Sequence, residues 1–440
     1  MSITNRWAKS ILKRTLSHLS EGYLEVLAPD GTLAFGDASS DRRAAIHVHD
    51  ERVFGRVLRG SDIGFGEAYV DGDWSSPDLV AVLRLAVRNL ALFEDRHRLA
   101  SSLARWRDRF AHWLRANTER GSRENIAFHY DLGNEFYRLF LDRSMAYSCG
   151  IYRSADDTLE EAQAEKFDRI CRKLRLGPSD HVLEIGTGWG GFAAWAATRY
   201  GCRVTTTTIS AEQHAYAARL FASKGLGPSR VRLLLEDYRR LSGRYDKIVS
   251  IEMFEAVGFR NYDAFFGQCD RLLAPDGTML LQAITVSDQR FRRYLATPDW
   301  IQKYIVPGAE LASLSEILRS LVRVTKLSLY HAEEIGAHYA RTLRAWREQF
   351  LAARAPVHAL GFDERFVRMW EYYLASCEAA FLERQIGDLQ VVLTKHHNPR
   401  PLMDEPEWEA RPGARELSCP GGPSAEGFAR PTPAPAPATA

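Results

Sequence analysis

A chain of 440 residues with 45% hydrophobic composition has enough material for a sizeable core and two or three domains. Its formal net charge of +2 is nearly balanced, which excludes a general attraction to nucleic acid and leaves only local basic surfaces. Six scattered cysteines form no CxxC pair, so neither a metal site nor a disulfide framework is indicated, and no stretch approaches the roughly 20 apolar residues that cross a bilayer.

The N-terminus, MSITNRWAKSILKRTL, is amphipathic and lacks the apolar core and small-residue cleavage site of a secretory signal. Free thiols suit a reducing cytoplasm. Residues 1–93 read as a small α+β unit. Gly22 to Leu33 alternates around the turn Pro29-Asp30-Gly31, Ala44 to Val48 is a further strand, and Leu79 to Leu92 has a helical apolar period. Between them lie Gly-rich aromatic runs at 64–69 and 71–74.

Residues 94–123 read as a basic helical linker, with Arg96, Arg98, Arg105, Arg107, Arg109, Arg115, Arg120 and Arg123 among Trp106, Phe110 and Trp113. Two readings stay open: a helix lying on an anionic membrane surface, or a solvated arginine face on an ordinary linker. From 124 to 397 strand and helix alternate as in an α/β sheet. Strands are expected at His181–Ile185, Arg203–Thr208, Val231–Leu235 and Lys247–Ile251. A turn over Leu273–Gly277 is expected to lead into a strand from Thr278 to Ile284. The segment 398–440 turns rich in Pro and Ala and is expected to be a disordered tail.

The strongest motif is Val182-Leu183-Glu184-Ile185-Gly186-Thr187-Gly188-Trp189-Gly190-Gly191: a buried strand, a glycine-rich turn and the start of a helix. Such a loop alone also serves nicotinamide and flavin enzymes. A dinucleotide site usually places an acid about 20 positions on. Here that region reads Arg203-Val204-Thr205-Thr206-Thr207-Thr208, without one. Instead Glu236-Asp237-Tyr238 follows the third strand, where Rossmann-like methyltransferases commonly meet the adenine amine with an acid and flank the base with an aromatic ring. The motif therefore favours S-adenosylmethionine.

Around this loop the chain resembles the cyclopropane-fatty-acid synthase family, which includes the mycolic-acid cyclopropane synthases. The matching segments run in order: His129-Tyr130-Asp131-Leu132-Gly133-Asn134, Met145-Ala146-Tyr147-Ser148-Cys149, residues 184–191, Thr208-Ile209-Ser210-Ala211-Glu212-Gln213, Phe254-Glu255-Ala256-Val257-Gly258, 300–308 and Tyr372-Tyr373-Leu374-Ala375-Ser376-Cys377. The N-terminal region resembles the accessory domain of longer bacterial members. The resemblance implies an α/β fold, a Rossmann-like class I methyltransferase domain with inserted helices over an acyl pocket, preceded by the small α+β unit. It implies that Tyr147, Ser148, Gly186, Gly188, Gly190, Thr208, Gln213, Asp237 and Tyr238 contact S-adenosylmethionine, with Tyr130 near the sulfonium.

The implied reaction adds a one-carbon unit to a cis double bond of an unsaturated acyl chain. An alkene is a weak nucleophile, so the methyl must be held in line with it, and the resulting carbocation needs aromatic faces and exclusion of water. Loss of a proton from the new methyl closes a cyclopropane. Loss from a neighbouring carbon leaves a branched alkene. The family resemblance implies a bound bicarbonate as base, held by a backbone group at Cys149, by Glu255, by a histidine, by a backbone group at Ile284 and by Tyr339. Gln282 stands where the histidine is expected, and an amide neither takes a proton nor carries charge. Ala256 and Thr187 are further departures, shared with methylene- and methyl-branching members. Cys377 matches a cysteine marked as an active-site residue, with packing beside the acyl pocket as its other reading.

The expected acceptor is membrane phospholipid, reached by a cytoplasmic protein peripheral to the inner face of the membrane. Nucleic acid is not an expected partner, and a homodimer is implied by resemblance alone. The alternatives are a branched-chain product, a soluble natural-product acceptor, and a non-catalytic protein that binds S-adenosylmethionine or lipid.

Overall fold

The computed structural model describes residues 3–90, 92 and 132–399. The basic segment 94–123, Tyr130 with its neighbour His129, and the tail beyond Pro399 lie outside the described residues.

The N-terminal part has a four-stranded sheet of order β2-β1-β3-β4, built from β1 (Tyr23–Ala28), β2 (Gly31–Gly36), β3 (Arg43–Val48) and β4 (Trp74–Ser75). The β1–β2 hairpin turns at Pro29-Asp30 and pairs Ala28 with Gly31, as the alternation requires. Helices α1 (Ile3–Leu16), α2 (Arg52–Val70) and α3 (Leu79–Arg88) accompany the sheet. The run 64–69, read above only as Gly-rich and aromatic, is the second half of α2. That helix breaks at Ser61, whose φ of 51° is left-handed. Asp78 starts α3 by accepting a hydrogen bond from the Ala81 N–H.

The larger part is built on a seven-stranded sheet of order β10-β11-β9-β8-β5-β6-β7. Its strands are β5 (His181–Ile185), β6 (Arg203–Thr208), β7 (Val231–Leu235), β8 (Tyr245–Ile251), β9 (Leu273–Val286), β10 (Leu327–Glu334) and β11 (Ile386–Lys395). Pairs from β7 through β9 are parallel, and β11 joins β9 and β10 antiparallel. Strand β9 begins at Leu273 rather than Thr278. Tyr245 pairs with Leu273 and Lys247 with Thr278, so residues 274–277 form an irregularity within the strand rather than a turn before it. Strand β5 lies between β6 and β8, and the chain leaves it in one direction and returns on its other side. That reversal opens a crevice at the carboxyl edge of the sheet.

Helices α4 (Asn134–Tyr137), α5 (Leu159–Lys173), α6 (Gly191–Arg199), α7 (Ala211–Ser223) and α8 (Tyr262–Leu272) alternate with these strands or precede them. A reciprocal cap between Thr158 and Glu161 begins α5. After β9 come α9 (Asp288–Ala296), α10 (Trp300–Tyr304) and α11 (Leu314–Val324). Helices α12 (Gly336–Ala352), α13 (Arg354–Ala359) and α14 (Glu364–Leu382) lie between β10 and β11. Of these, α9, α10, α12 and α14 are the inserted helices that line the crevice.

Helix α14 carries the N-terminal layer. The Arg368 guanidinium donates to the Tyr69 and Trp74 carbonyls at 2.7 and 2.8 Å and lies over the Tyr69 ring. Arg84 and Arg88 both reach the buried Glu383 carboxylate at 2.6 Å. Apolar side chains of β1, α2 and α3 join those of α12 and α14 in one continuous core. The described residues therefore form one compact unit, in which the α+β layer has its own sheet but shares its core. Among the described residues no helix is long and apolar enough to cross a membrane.

Candidate active site

A cavity of about 1250 Å3 opens at the carboxyl edge of the large sheet, between the glycine loop and the inserted helices. Typical small-molecule pockets hold about 300–1,000 Å3, so this one has room for more than a single small ligand. Its lining changes character along its length. The loop after β5 and the ends of β6 and β7 form a polar end, whereas Ile284, Val286, Ile301, Val306, Leu343 and Phe381 contribute an apolar wall.

At the polar end the structure brings together Tyr147, Ser148, Gly186, Gly188, Thr208, Gln213, Asp237 and Tyr238. The Thr208 hydroxyl donates to the Gln213 amide oxygen at 2.8 Å, which fixes the amide with its NH2 as the remaining donor end. The buried Asp237 accepts from the Arg239 N–H at 2.9 Å. Tyr147 stacks on Trp346 and shares a 2.8 Å hydrogen bond with Tyr373. The Ser148 hydroxyl accepts from the buried Lys166 ammonium at 2.5 Å.

Two of the loop glycines serve different ends. A side chain at Gly188, whose φ is +53°, would meet no protein atom within 4 Å. The space above it suits a ligand that approaches the backbone. A side chain at Gly190 would strike the Phe221 ring at 2.9 Å. Gly190, expected to contact the cofactor, instead caps α6 in a left-handed conformation and packs inward.

Glu184, at the end of β5, also lines the cavity. Burial pushes its carboxyl up to about 8, against a 2.5 Å bond from the Thr206 hydroxyl and the charge of Lys166. The folded state therefore holds a proton that the unfolded chain releases near pH 4.3. Stability from this group is complete below that pH and is lost as pH rises through about 8. Glu184→Gln in ligand-free protein is expected to gain melting temperature over the parent from pH 5 upward, with the advantage levelling off past pH 8. A constant difference across that range would refute a neutral Glu184.

The residues expected around a bicarbonate do gather, but around protein carboxylates. Glu252, directly after β8, accepts from the Cys149 N–H at 2.8 Å and the Gln282 amide at 2.7 Å through one oxygen. Its other oxygen accepts from the Tyr339 hydroxyl at 2.6 Å. Glu255 accepts from the Ile284 N–H at 2.5 Å, and burial with the nearby Glu252 charge pushes its carboxyl up to about 8. Gln282 donates also to Asp388 at 3.0 Å and accepts from Gln390 at 2.9 Å. One amide nitrogen thus serves two carboxyl groups, which a ring N–H with a single hydrogen does not do. Gln282 and Cys149 do not line the cavity; they hold Glu252, which does. The bicarbonate site fits poorly here, because three of its five expected holders are engaged by Glu252 and a fourth by Glu255.

Cys377 lines the apolar end. Burial pushes its thiol far up, so it is a protonated wall residue rather than a thiolate.

Residues 117–391 match the mycolic acid cyclopropane synthetase family. The chain belongs to that family. It is 38% identical over 411 residues to a tuberculostearic acid methyltransferase of Mycobacterium tuberculosis, covering 89% of this chain and 92% of that one. It is 39% identical over 378 residues to the cyclopropane-fatty-acyl-phospholipid synthase of Escherichia coli K12, covering 84% and 92%. Among solved structures, a mycolic acid cyclopropane synthase complexed with SAH and CTAB is 32% identical, with a TM-score of 0.58. That match covers 62% of this chain and 98% of the other. As a member of the cyclopropane synthetase family the chain is an S-adenosylmethionine-dependent methyltransferase that modifies fatty-acyl lipid.

Two residues of the site are missed by reading motifs along the chain. Glu252 carries a signal, an acid immediately after a buried strand run. Lys166 carries none, since it is one of many charged residues on α5 and only the fold buries it beneath Ser148.

Proposed function

We propose that the chain transfers a methylene group from S-adenosylmethionine to the cis double bond of an unsaturated acyl chain in a membrane phospholipid, forming a cyclopropane fatty acid. The observation that carries this reading is the single cavity whose polar end has the glycine loop and whose apolar end has buried carboxylates and aromatic rings. The cofactor supplies an electrophilic methyl when bound at the polar end. Gln213 and Asp237 offer hydrogen bonds to its polar groups. Tyr147, Tyr339 and Tyr373 line the cavity as aromatic neighbours for the positive charge that develops on the chain. The apolar wall excludes the water that would quench that charge.

The lipid assignment has further support. Arg59, Arg290 and Arg293 also line the cavity, and guanidinium groups suit an anionic headgroup, whereas Arg56 and Lys303 there are paired with Asp71, Asp73 and Glu67. A second space of about 350 Å3, walled by apolar side chains of α1, α2, α3 and β1–β3, adjoins the first and shares Ser61, Asp62, Leu90, Asp299 and Ile301 with it. Two adjoining apolar spaces suit a two-chained lipid. The work is proposed to occur on the cytoplasmic membrane surface by a peripheral protein, which the resemblance pairs as a homodimer. No bicarbonate is needed in this reading.

A methyl- or methylene-branched product is the second reading. It is favoured by Gln282 in place of a histidine and by the relative named a tuberculostearic acid methyltransferase. The test uses purified protein, S-adenosylmethionine and vesicles of cis-monounsaturated phospholipid, with released fatty acids read by mass spectrometry and proton NMR. The expected result is a product one CH2 heavier with high-field ring protons. Vinylidene protons at the same added mass would replace the first reading with the second. No added mass, with cofactor binding intact, would overturn both.

A further inference from the structure

The chain supplies a carboxylate where the family resemblance implies an exogenous anion. We propose that Glu252 is the base that removes the proton from the alkylated acyl chain, so that the enzyme works without bicarbonate.

Three elements distant in sequence converge on this one side chain: the Cys149 N–H from the loop before α5, the Gln282 amide from β9 and the Tyr339 hydroxyl from α12. All are donors, and together they hold both oxygens. Three donors on one anion form a complete site for a carboxylate-sized group. The Glu252 backbone is left-handed, with φ of 48°, a conformation that costs a non-glycine residue strain. The strained conformation places the carboxylate at the carboxyl edge of β8, facing the cavity beside Glu255 and Tyr339.

The surrounding charges favour an anion at Glu252 over its neighbours. Glu255 receives one N–H, leaves its other oxygen without a partner and is held neutral at pH 7. Asp388 is pushed far up by burial and by the charges of Glu252 and Glu255. Glu252 alone has three donors, with Lys166 as the nearby buried cation. Burial nevertheless raises its proton affinity, as a base requires. Gln282 positions the carboxylate and anchors it through Gln390 to Lys173 at 2.8 Å.

The step balances as follows. The alkene π pair forms the bond to the incoming methyl while the sulfur–carbon pair stays on sulfur, leaving a carbocation one carbon along the chain. A lone pair of Glu252 takes the proton. The released C–H pair closes the ring if the proton leaves the new methyl, or forms a double bond if it leaves a neighbouring chain carbon. Solvent then removes the proton from Glu252.

The inference rests on the lipid-alkylation reading for its activity arm, so a second arm measures binding alone. Parent, Glu252→Gln and Glu252→Ala are assayed with lipid vesicles in buffer freed of carbon dioxide and again with added bicarbonate. [13C]Bicarbonate binding is followed by NMR line broadening on the same proteins. The parent is expected to turn over equally in both buffers and to show no site-specific broadening. Both variants should lose about 10²–10⁴-fold in turnover while binding S-adenosylmethionine within about threefold of the parent. Glu252→Ala, which leaves the three donors around an empty space, should bind bicarbonate and regain at least about tenfold in turnover with it. Turnover of Glu252→Gln near the parent's, or parent activity that collapses without bicarbonate, would overturn the proposal. If no lipid is alkylated at all, the binding arm still decides. Bicarbonate held by the parent at this site, or by neither protein, would refute the replacement.

Discussion

Gly188→Val is expected to lower S-adenosylmethionine affinity at least about 100-fold while the fold survives. At this position a new side chain meets no protein atom, so its bulk enters the space reserved for ligand. The left-handed φ of 53° adds strain of about 1–2 kcal/mol for an L side chain. That corresponds to a fall of a few degrees in melting temperature for a chain of this size. Calorimetric titration of the cofactor and a thermal melt separate the two effects. Gly190→Val is the control, because there the side chain meets Phe221 and Ala217 and the loss should be mainly of stability. Near-parent affinity in Gly188→Val would remove the loop from the cofactor site.

Tyr339→Phe is expected to lower kcat about 10- to 100-fold with cofactor affinity unchanged. The ring is retained, and with it the stacking on Phe381 at 4.5 Å, so packing changes little. The hydroxyl is lost, and with it the 2.6 Å bond that holds the outer oxygen of Glu252. A hydrogen bond to a charged group contributes about 1.5–3 kcal/mol, which sets the scale of the effect. Single-turnover measurement with vesicles checks it, and a structural role alone would instead lower the melting temperature and leave kcat intact. Unchanged turnover would mean that Tyr339 does not position the carboxylate.

The cavity residues proposed to hold the cofactor were legible along the chain because they are local. A strand, a glycine turn and a helix start lie within ten residues at 182–191, and Thr208–Gln213 and Asp237–Tyr238 sit at the ends of the next two strands. A parallel sheet places all such strand ends at one edge, so the motif order already implied their meeting. Tyr130 is the exception, lying outside the described residues.

The chemical half was legible only as a set of positions. Glu255, Gln282, Ile284, Tyr339 and Cys149 were each marked, yet the group they surround was expected to come from solution. Sequence spacing gives no side-chain direction across elements 30 to more than 100 residues apart. The pairing of Gln282 with Glu252, with Asp388 and with Gln390 depends on β9 lying between β8 and β11.

The sequence by itself determined the α/β class, the glycine loop and the family, because these depend on local periodicity and on motifs in order. Only the tertiary structure decided that Gly190 packs inward, that Cys377 stays a thiol and that Glu252 accepts from Cys149, Gln282 and Tyr339. The physical reason is that burial and hydrogen-bond partners set a titratable group's role, and both belong to the packed molecule rather than to the chain.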